Sequence, residues 1–168
     1  PPFRKPALRI GVLRDKSFWF YYPENLDHLK KLGAHLVDIN SLENRRLPAI
    51  DALYIGGGFP ETQAQVLADN VPFRESLKEA IEGGLLVYAE CGGLMYLGER
   101  LVVGGKEFPM VGAPPLSLIL EKKPQGHGYT VLQVTDKNPF YSVGESLKGH
   151  EFHYSKAVMH PSGDARTV

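Results

Sequence analysis

Tyr88-Ala89-Glu90-Cys91-Gly92-Gly93-Leu94-Met95-Tyr96-Leu97 is the stretch that decides the fold of this chain. The apolar residues that lead into it, 85–89, predict a buried strand, and Leu94, Met95 and Leu97 begin a helical spacing. The only cysteine of the chain lies between these two patterns and is followed directly by two glycines. This order is typical of a nucleophile elbow, a sharp strand-to-helix turn that holds one nucleophilic side chain clear of the backbone.

The cysteine of this elbow has two possible roles. A lone free cysteine is often an inert residue that packs as a small hydrophobic side chain. At the start of a helix, however, its thiolate would face free backbone N–H groups and the positive end of the helix dipole, both of which favour negative charge. We therefore expect this position to favour the thiolate of Cys91.

Composition and charge are typical of a soluble globular domain. The 168 residues are 43% hydrophobic and 23% charged, and 19 basic residues balance 19 acidic ones. This balance gives no basic face for nucleic acid, and no apolar run is long enough to span a bilayer. A single cysteine rules out an internal disulfide framework and leaves no metal-binding cysteine pair. We therefore expect a cytoplasmic domain with no metal site and with neither nucleic acid nor a membrane as its partner.

Strand and helix patterns alternate along the first half of the chain. Strands are predicted at residues 8–13, 34–39, 52–55 and 85–89, and helices at 23–32, 61–68 and 72–82, the last capped by Asn70. This alternation predicts a three-layer α/β fold, with a mostly parallel sheet and helices on both of its faces. Ligands bind such sheets beyond the carboxyl ends of the strands, so the glycine segments 56–58 and 92–93 should meet at one edge.

Other segments depart from this alternation. Residues 15–22 read as a loop, and its five consecutive aromatic residues, 18–22, cannot all face one core. Some of them line a pocket or an interface, or they form a hydrophobic lid over the sheet edge. After the elbow helix we predict short strands, the first two joined by a hairpin turn at Gly104-Gly105. They lie at residues 101–103, 108–111, 116–120, 129–134 and 151–154.

Two glycines are candidate donors for the chemistry of a cysteine nucleophile. A thiolate that attacks a carbonyl needs fixed hydrogen-bond donors for the oxyanion that develops, and backbone N–H groups beside glycine can approach closely. Gly92, directly after the cysteine, supplies one donor, and Gly58, in segment 56–58, supplies the second. That segment can also be a phosphate-binding loop or a flexible turn, although it lacks the Lys-Ser/Thr of a P-loop.

The thiol also needs a general base, normally a histidine. His28 and His35 fall in a predicted helix and strand and read as ordinary residues. Strand alternation puts Glu151 and His153 on one face, where they form either a base with its orienting carboxylate or a polar contact for a substrate. The remaining candidates are His127, His150 and His160, the last in a stretch, 160–164, that reads as a loop.

Four motifs, together with Asp15 and residues 18–24, resemble the C-terminal glutamine amidotransferase domain of the cobyrinic acid a,c-diamide synthase family. The motifs are Gly57-Gly58-Phe59-Pro60-Glu61, Ala89-Glu90-Cys91-Gly92-Gly93-Leu94-Met95-Tyr96-Leu97, Pro109-Met110-Val111-Gly112 and Gly149-His150-Glu151-Phe152-His153-Tyr154-Ser155. The motifs occur in the order of the family, and the resemblance covers nearly the whole chain. The resemblance implies the flavodoxin-like fold of class I glutamine amidotransferases, with extra short strands after the nucleophile helix.

The resemblance also implies a reaction and a set of site residues. Members of the family split L-glutamine at the cysteine and pass ammonia to the ATP-activated a and c acetate carboxylates of a corrinoid precursor, cobyrinic acid. Cys91 would be the nucleophile, and Gly58 and Gly92 would form the oxyanion hole. Glu151 and His153 would serve the acceptor side. The residues implied to bind substrate are Gly57, Glu61, Glu90, Glu151 and His153.

The chain departs from the family pattern at both ends. The family has an N-terminal domain that binds ATP and Mg²⁺, so we read the proline-rich residues 1–7 as the linker from such a domain and expect no cofactor in residues 8–168. The family's late histidine, the expected general base, lies on a strand beyond Val168. We therefore expect a truncated domain that hydrolyses glutamine at least about a hundredfold slower than the intact protein. A homodimer is left open.

Alternative functions fit the same residues. The fold could serve as a non-catalytic tetrapyrrole-binding or interaction module, a reading that the aromatic run favours. It could also belong to an amidotransferase that acts on another carboxylate, such as that of a nickel tetrapyrrole or a cell-wall lipid. A cysteine peptidase built on the same elbow is a third alternative.

Overall fold

A computed structural model describes residues 7–160 of the chain. Its first half alternates strands with helices, in agreement with the sequence pattern. The elements are β1 (Arg9–Leu13), β2 (Phe18–Phe20), α1 (Pro23–Lys31), β3 (His35–Ile39), β4 (Ala52–Ile55), β5 (Gly57–Gly58), a short 3-10 helix (Pro60–Gln63), α2 (Ala64–Asp69), α3 (Val71–Glu82), β6 (Leu86–Ala89) and α4 (Gly92–Leu97). No helix of the described residues is long and apolar enough to cross a membrane.

The central sheet has four parallel strands in the order β3-β1-β4-β6. Side chains alternate between its two faces, because successive residues of a strand point in opposite directions. On one face, Ile10, Val12 and Tyr54 pack with Leu26 of α1. On the other face, the larger core includes residues of α2, α3 and α4 together with Leu13, Leu53 and Ile55 of the strands. The predicted three-layer α/β fold, with helices on both faces of a parallel sheet, is therefore confirmed.

The second half of the described chain is built from strands alone. They are β7 (Arg100–Val103), β8 (Lys106–Pro109), β9 (Leu116–Leu120), β10 (Gly126–Gln133), β11 (Ser146–His153) and β12 (Ser155–Met159). Four of them form a second sheet in the order β12-β9-β7-β8, and β10 pairs with β11 as an antiparallel ribbon. Gly104 and Gly105 have φ of 58° and 81°, which is the backbone that a tight hairpin turn requires, so the predicted turn is confirmed.

Three expectations need correction. Residues 15–22 are not all loop, because Phe18–Phe20 form β2, which pairs antiparallel with Gly57–Gly58. The predicted helix 61–68 is a 3-10 helix followed by the shorter α2. The predicted strand 151–154 is the end of a longer strand, since β11 begins at Ser146 and ends at His153, and Tyr154 lies between β11 and β12.

Asn70 precedes α3 as predicted, but its side chain does not cap the helix. Its amide nitrogen instead donates to the backbone oxygens of Ser41 and Asn44, at 2.8 and 2.9 Å. Asn70 is 5% exposed, and these bonds satisfy buried carbonyl groups of the loop after β3, which the sequence pattern did not reveal. Residues 1–6 and 161–168, which include most of the predicted linker and of the stretch 160–164, lie outside the described residues.

Candidate active site

Cys91 lies at the sharp turn between β6 and α4, as the elbow pattern predicts. Its φ of 49° and ψ of −111° make it the one non-glycine residue with positive φ in the described part of the chain. A Cβ on Gly93 would lie 2.6 Å from the backbone oxygen of Ile55, and a Cβ on Gly92 would lie 2.9 Å from that of Gly58. The turn therefore needs both glycines, because its backbone presses against the end of β4 and against β5.

The two candidate donor glycines converge on this cysteine. The backbone N–H groups of Gly92 and Gly58 both lie close enough to the Cys91 thiol to lower its pKa. Gly57 adjoins them, since a Cβ on it would lie 3.6 Å from the Cβ of Cys91. Gly58 must remain glycine because an added Cβ would collide with the backbone oxygen of Ser17. Gly57 and Gly58 thus form the short strand β5, which pairs with β2 and lies beside the thiol.

The electrostatics at the thiol differ from the expectation that the helix terminus would favour the thiolate. Burial raises the pKa of the Cys91 thiol above its ordinary value, and the carboxylates of Glu61 and Glu90 raise it further. The N–H groups of Gly92 and Gly58 oppose this shift. Because α4 has only six residues, its dipole is small, and desolvation with two nearby negative charges outweighs it.

The two glutamates beside the thiol are both partly buried. Glu61 is the second residue of the 3-10 helix, and burial raises the pKa of its carboxyl group. Glu90 accepts a 2.9 Å hydrogen bond from the hydroxyl of Tyr54, so it is not a free surface glutamate. Burial, together with this bond, raises the pKa of Tyr54 to about 12. Two carboxylates therefore flank the elbow. Glu90 accepts a hydrogen bond from Tyr54, and Glu61 is partly buried.

Glu151 and His153 pair with each other and not with Cys91. Their side chains share one face of β11, as predicted, and His153 Nε2 lies 3.2 Å from Glu151 Oε2. The other ring nitrogen of His153 lies 2.8 Å from the backbone oxygen of Ser155. Across residues 7–160, no hydrogen bond joins a histidine to Cys91. Of the other candidates, His160 bonds Ser117 Oγ at 2.7 Å.

The opposite face of the β10–β11 ribbon carries aromatic and basic side chains. The cross-strand register pairs His127 with Phe152, Tyr129 with His150, and Val131 with Lys148. Tyr129 is 98% exposed and Phe152 is 58% exposed. In the described part of the chain, no three His, Cys, Asp or Glu side chains converge as metal ligands. This face of the ribbon is therefore an exposed surface with aromatic, aliphatic and basic side chains, and the Glu151–His153 pair lies on the opposite face.

The aromatic run divides between the core and the surface. Phe18 is fully buried, whereas Trp19, Phe20 and Tyr22 are each about half exposed, at 54%, 50% and 49%. The ring of Trp19 lies 5.9 Å from that of Phe59, next to the 3-10 helix that carries Glu61. The expectation that the five aromatic residues cannot all face one core is therefore confirmed, and the exposed rings lie on the surface.

Three tyrosines near the site were missed by the sequence reasoning. Tyr21, Tyr54 and Tyr88 stack edge to face along the carboxyl ends of the strands, with ring centroids 5.2 and 5.8 Å apart. Tyr54 and Tyr88 are register partners on β4 and β6, so strand alternation could have placed those two on one face. Tyr21 could not be found in this way, because its contacts depend on the non-local pairing of β2 with β5.

Comparison with known proteins agrees with this architecture. The model of the CobB/CobQ-like glutamine amidotransferase domain matches residues 9–167. A cobyrinate a,c-diamide synthase from Archaeoglobus fulgidus is 46% identical over 160 residues, which are 95% of this chain and 35% of that protein. A synthase of the same name from Caldanaerobacter subterraneus is 43% identical over 155 residues, 91% of this chain and 34% of that protein.

A solved structure supports the fold independently. A crystal structure of a glutamine amidotransferase superimposes with a TM-score of 0.61 at 22% identity, covering 92% of this chain and 75% of the other. The chain spans about a third of the length of the curated relatives that it matches. With a family model that covers nearly all of its residues, the chain belongs to the family of CobB/CobQ-like glutamine amidotransferase domains.

Proposed function

We propose that this domain hydrolyses L-glutamine at Cys91 and supplies ammonia for the ATP-dependent amidation of the a and c acetate carboxylates of cobyrinic acid, a step of cobalamin biosynthesis. The observation that carries the proposal is the convergence of the Gly58 and Gly92 N–H groups on a cysteine at a strand-to-helix elbow. The names of the relatives, cobyrinate a,c-diamide synthases, support the choice of acceptor.

The reaction follows from the roles that we assign at the elbow. The Cys91 thiolate attacks the side-chain amide carbon of glutamine, and the N–H groups of Gly58 and Gly92 stabilise the resulting oxyanion. The C–N bond then breaks, and the nitrogen leaves as ammonia after it takes up the proton that the general base had removed from the Cys91 thiol. Water attacks the thioester, which releases glutamate and restores the thiol. A base is essential here, because burial and two carboxylates disfavour the thiolate of the free site.

The partly buried carboxylate of Glu61 is suited to hold the substrate. We propose that it receives the α-ammonium group of glutamine, since a positive partner offsets the burial that now raises the pKa of its carboxyl group. The same partner would reduce its repulsion of the thiolate. Gly57 would contribute the backbone wall against which the amide lies, and Glu90, held by Tyr54, would fix the shape of the elbow.

The acceptor side belongs to the later strands in this proposal. Glu151 and His153 would contact the corrinoid precursor or support the loop that does, because their hydrogen bonds stay within the ribbon and its junction with β12. ATP and Mg²⁺ would act in an ATP-binding domain of a longer protein, and we assign no residue of this domain to them. The general base on a later strand, a cytoplasmic location and a homodimer stay predictions.

A non-catalytic tetrapyrrole-binding module is the second candidate. The observation that favours it is the exposed ribbon face with His127, Tyr129, His150 and Phe152, which offers flat aromatic surface beside basic groups. Such a module would bind the macrocycle but release no ammonia from glutamine. The two candidates therefore differ in a single measurable activity.

The test uses the full-length protein with glutamine, ATP, Mg²⁺ and cobyrinic acid. We expect glutamine-dependent formation of the diamide, and Cys91→Ser should lower ammonia release from glutamine at least about a thousandfold. Free ammonium salt is the control, since it should restore amidation by the Cys91→Ser protein and so show that the protein is folded. A wild-type protein that binds cobyrinic acid without hydrolysing glutamine would favour the binding module instead.

A further inference from the structure

Tyr21 joins the ends of two neighbouring strands directly beside segment 56–58, which carries the candidate oxyanion donor Gly58. Its hydroxyl accepts a 2.9 Å hydrogen bond from the backbone N–H of Gly56 and donates to the backbone oxygen of Leu13. Leu13 is the last residue of β1, and Gly56 follows the last residue of β4. The pairing between these strands ends at Val12 and Tyr54, so the tyrosine hydroxyl bridges them just beyond their last paired residues.

The ring of Tyr21 is held firmly in this place. It stacks edge to face on Tyr54, with centroids 5.2 Å apart and planes at 89°, and the Arg14 guanidinium lies 5.8 Å from the ring centre. A Cβ on Gly56 would lie 2.6 Å from Cε1 of Tyr21, so Gly56 lacks a side chain where the ring packs. Burial raises the pKa of the Tyr21 hydroxyl, which therefore stays protonated at neutral pH and can donate and accept together.

The position of Gly56 helps to determine where the backbone N–H of Gly58 lies, two residues later in the chain. Gly57 and Gly58 continue the chain as β5, and a Cβ on Gly57 would be 3.6 Å from the Cβ of Cys91. At the far end of the segment, the N–H of Phe59 bonds the backbone oxygen of Ser17 at 3.0 Å. Segment 56–58 is thus held by the pairing of Gly57 and Gly58 with β2, by the backbone bond of Phe59 that follows it and, at its first residue, by the Tyr21 hydroxyl.

We infer that Tyr21 is a positioning residue for glutamine hydrolysis, and that its hydroxyl holds segment 56–58 at the distance from Cys91 that the Gly58 N–H needs to stabilise the oxyanion. The inference rests on the proposed function. Tyr21 does not touch the reacting atoms in this account. It acts through Gly56, and its contribution appears only when charge develops on the substrate oxygen.

Tyr21→Phe in the full-length protein removes the hydroxyl and keeps the ring. We expect kcat for ammonia release to fall roughly tenfold with KM for glutamine within about twofold, because a displaced donor costs less than the about 10²–10³-fold of a missing one. Alkylation of Cys91 by iodoacetamide forms no oxyanion, so its rate should not change. The matched control is Tyr22→Phe, because Tyr22 is 49% exposed and its hydroxyl has no hydrogen bond within residues 7–160.

Two results would overturn the inference. One is a kcat of Tyr21→Phe within about twofold of wild type. The other is a loss of iodoacetamide reactivity that matches the loss of kcat, because the whole site would then be disturbed.

Should Tyr21→Phe fail to fold, hydrogen exchange of the wild-type Gly56 amide decides, since exchange as fast as in an unprotected loop contradicts the hydroxyl bond. A wild-type protein that releases no ammonia refutes the proposed function, and with it this inference; a normal wild type with a normal Tyr21→Phe refutes the inference alone.

Discussion

At the scale of single residues, Cys91 is in a costly state that the elbow imposes. A non-glycine residue at φ of 49° costs of order 1–3 kcal/mol and persists only where the surrounding structure enforces it. Here the enforcement comes from the packing of Gly92 and Gly93 against Gly58 and Ile55. The same packing surrounds the sulfur with partly desolvating groups, so the geometry that presents the nucleophile also raises its pKa.

The pH dependence of Cys91 should report the charge of Glu61. Glu61→Gln removes a nearby negative charge, and a negative charge raises the pKa of a thiol, so the variant should have a lower thiol pKa and more thiolate at pH 7. We therefore expect the curve of iodoacetamide rate against pH, followed on the Cys91 peptide by mass spectrometry, to move to lower pH.

Glu82→Gln is the control for this measurement, because it makes the same chemical change at an exposed position that pairs with Lys78. Its curve should coincide with that of the wild type. A Glu61→Gln curve that stays in place, or that moves to higher pH, would contradict the charge effect and leave burial as the cause of the raised pKa.

At the scale of elements, the site is one part of the molecule and the β10–β11 ribbon is another. Gly58 ends β5, Cys91 lies in the turn after β6, and Gly92 begins α4. The ribbon pairs its own two strands, and both of its faces are largely exposed. A two-stranded ribbon alone is marginally stable in water.

His153→Asn in the full-length protein should separate the two half-reactions. Its hydrogen bonds run to Glu151 and Ser155 and not to Cys91, so ammonia release from glutamine should stay within about twofold while amidation of cobyrinic acid falls. His150→Asn, on the opposite face of the same strand, is the matched control. A loss of ammonia release of about a hundredfold or more would identify His153 as the general base and reverse the assignment.

Patterns of adjacent residues predicted most strands, helices and turns of this fold. They could not predict contacts between residues that are far apart in the sequence. The elbow at Cys91 and the hairpin at Gly104-Gly105 depend on a few adjacent residues, and both were predicted. Strand β2 and the side-chain bonds of Asn70 depend on partners far along the chain, so they were missed. The raised pKa of Cys91 was missed for the same reason, because Glu61 adds its charge only after the chain has folded.

At the scale of the whole molecule, α4 connects the central sheet to the second sheet. Backbone bonds of 3.0 Å join the N–H of Val111 to the oxygen of Tyr96 and the N–H of Ala113 to that of Leu97, so the loop after β8 is held on the end of α4. One core continues across both sheets, with Met95, Tyr96 and Leu97 at the junction. All residues of the elbow helix except Leu94 are therefore buried, and Cys91, which precedes the helix, is exposed to solvent.

In the mechanism that we propose, glutamine acylates Cys91. The most direct measurement treats the full-length protein with a chloroketone analogue of glutamine and maps the attached group by peptide mass spectrometry. We predict a single modification at Cys91, prevented by excess glutamine and accompanied by loss of ammonia release while ammonium-dependent amidation is retained. Modification of another residue, or glutamine hydrolysis that continues after Cys91 is fully modified, would contradict the account.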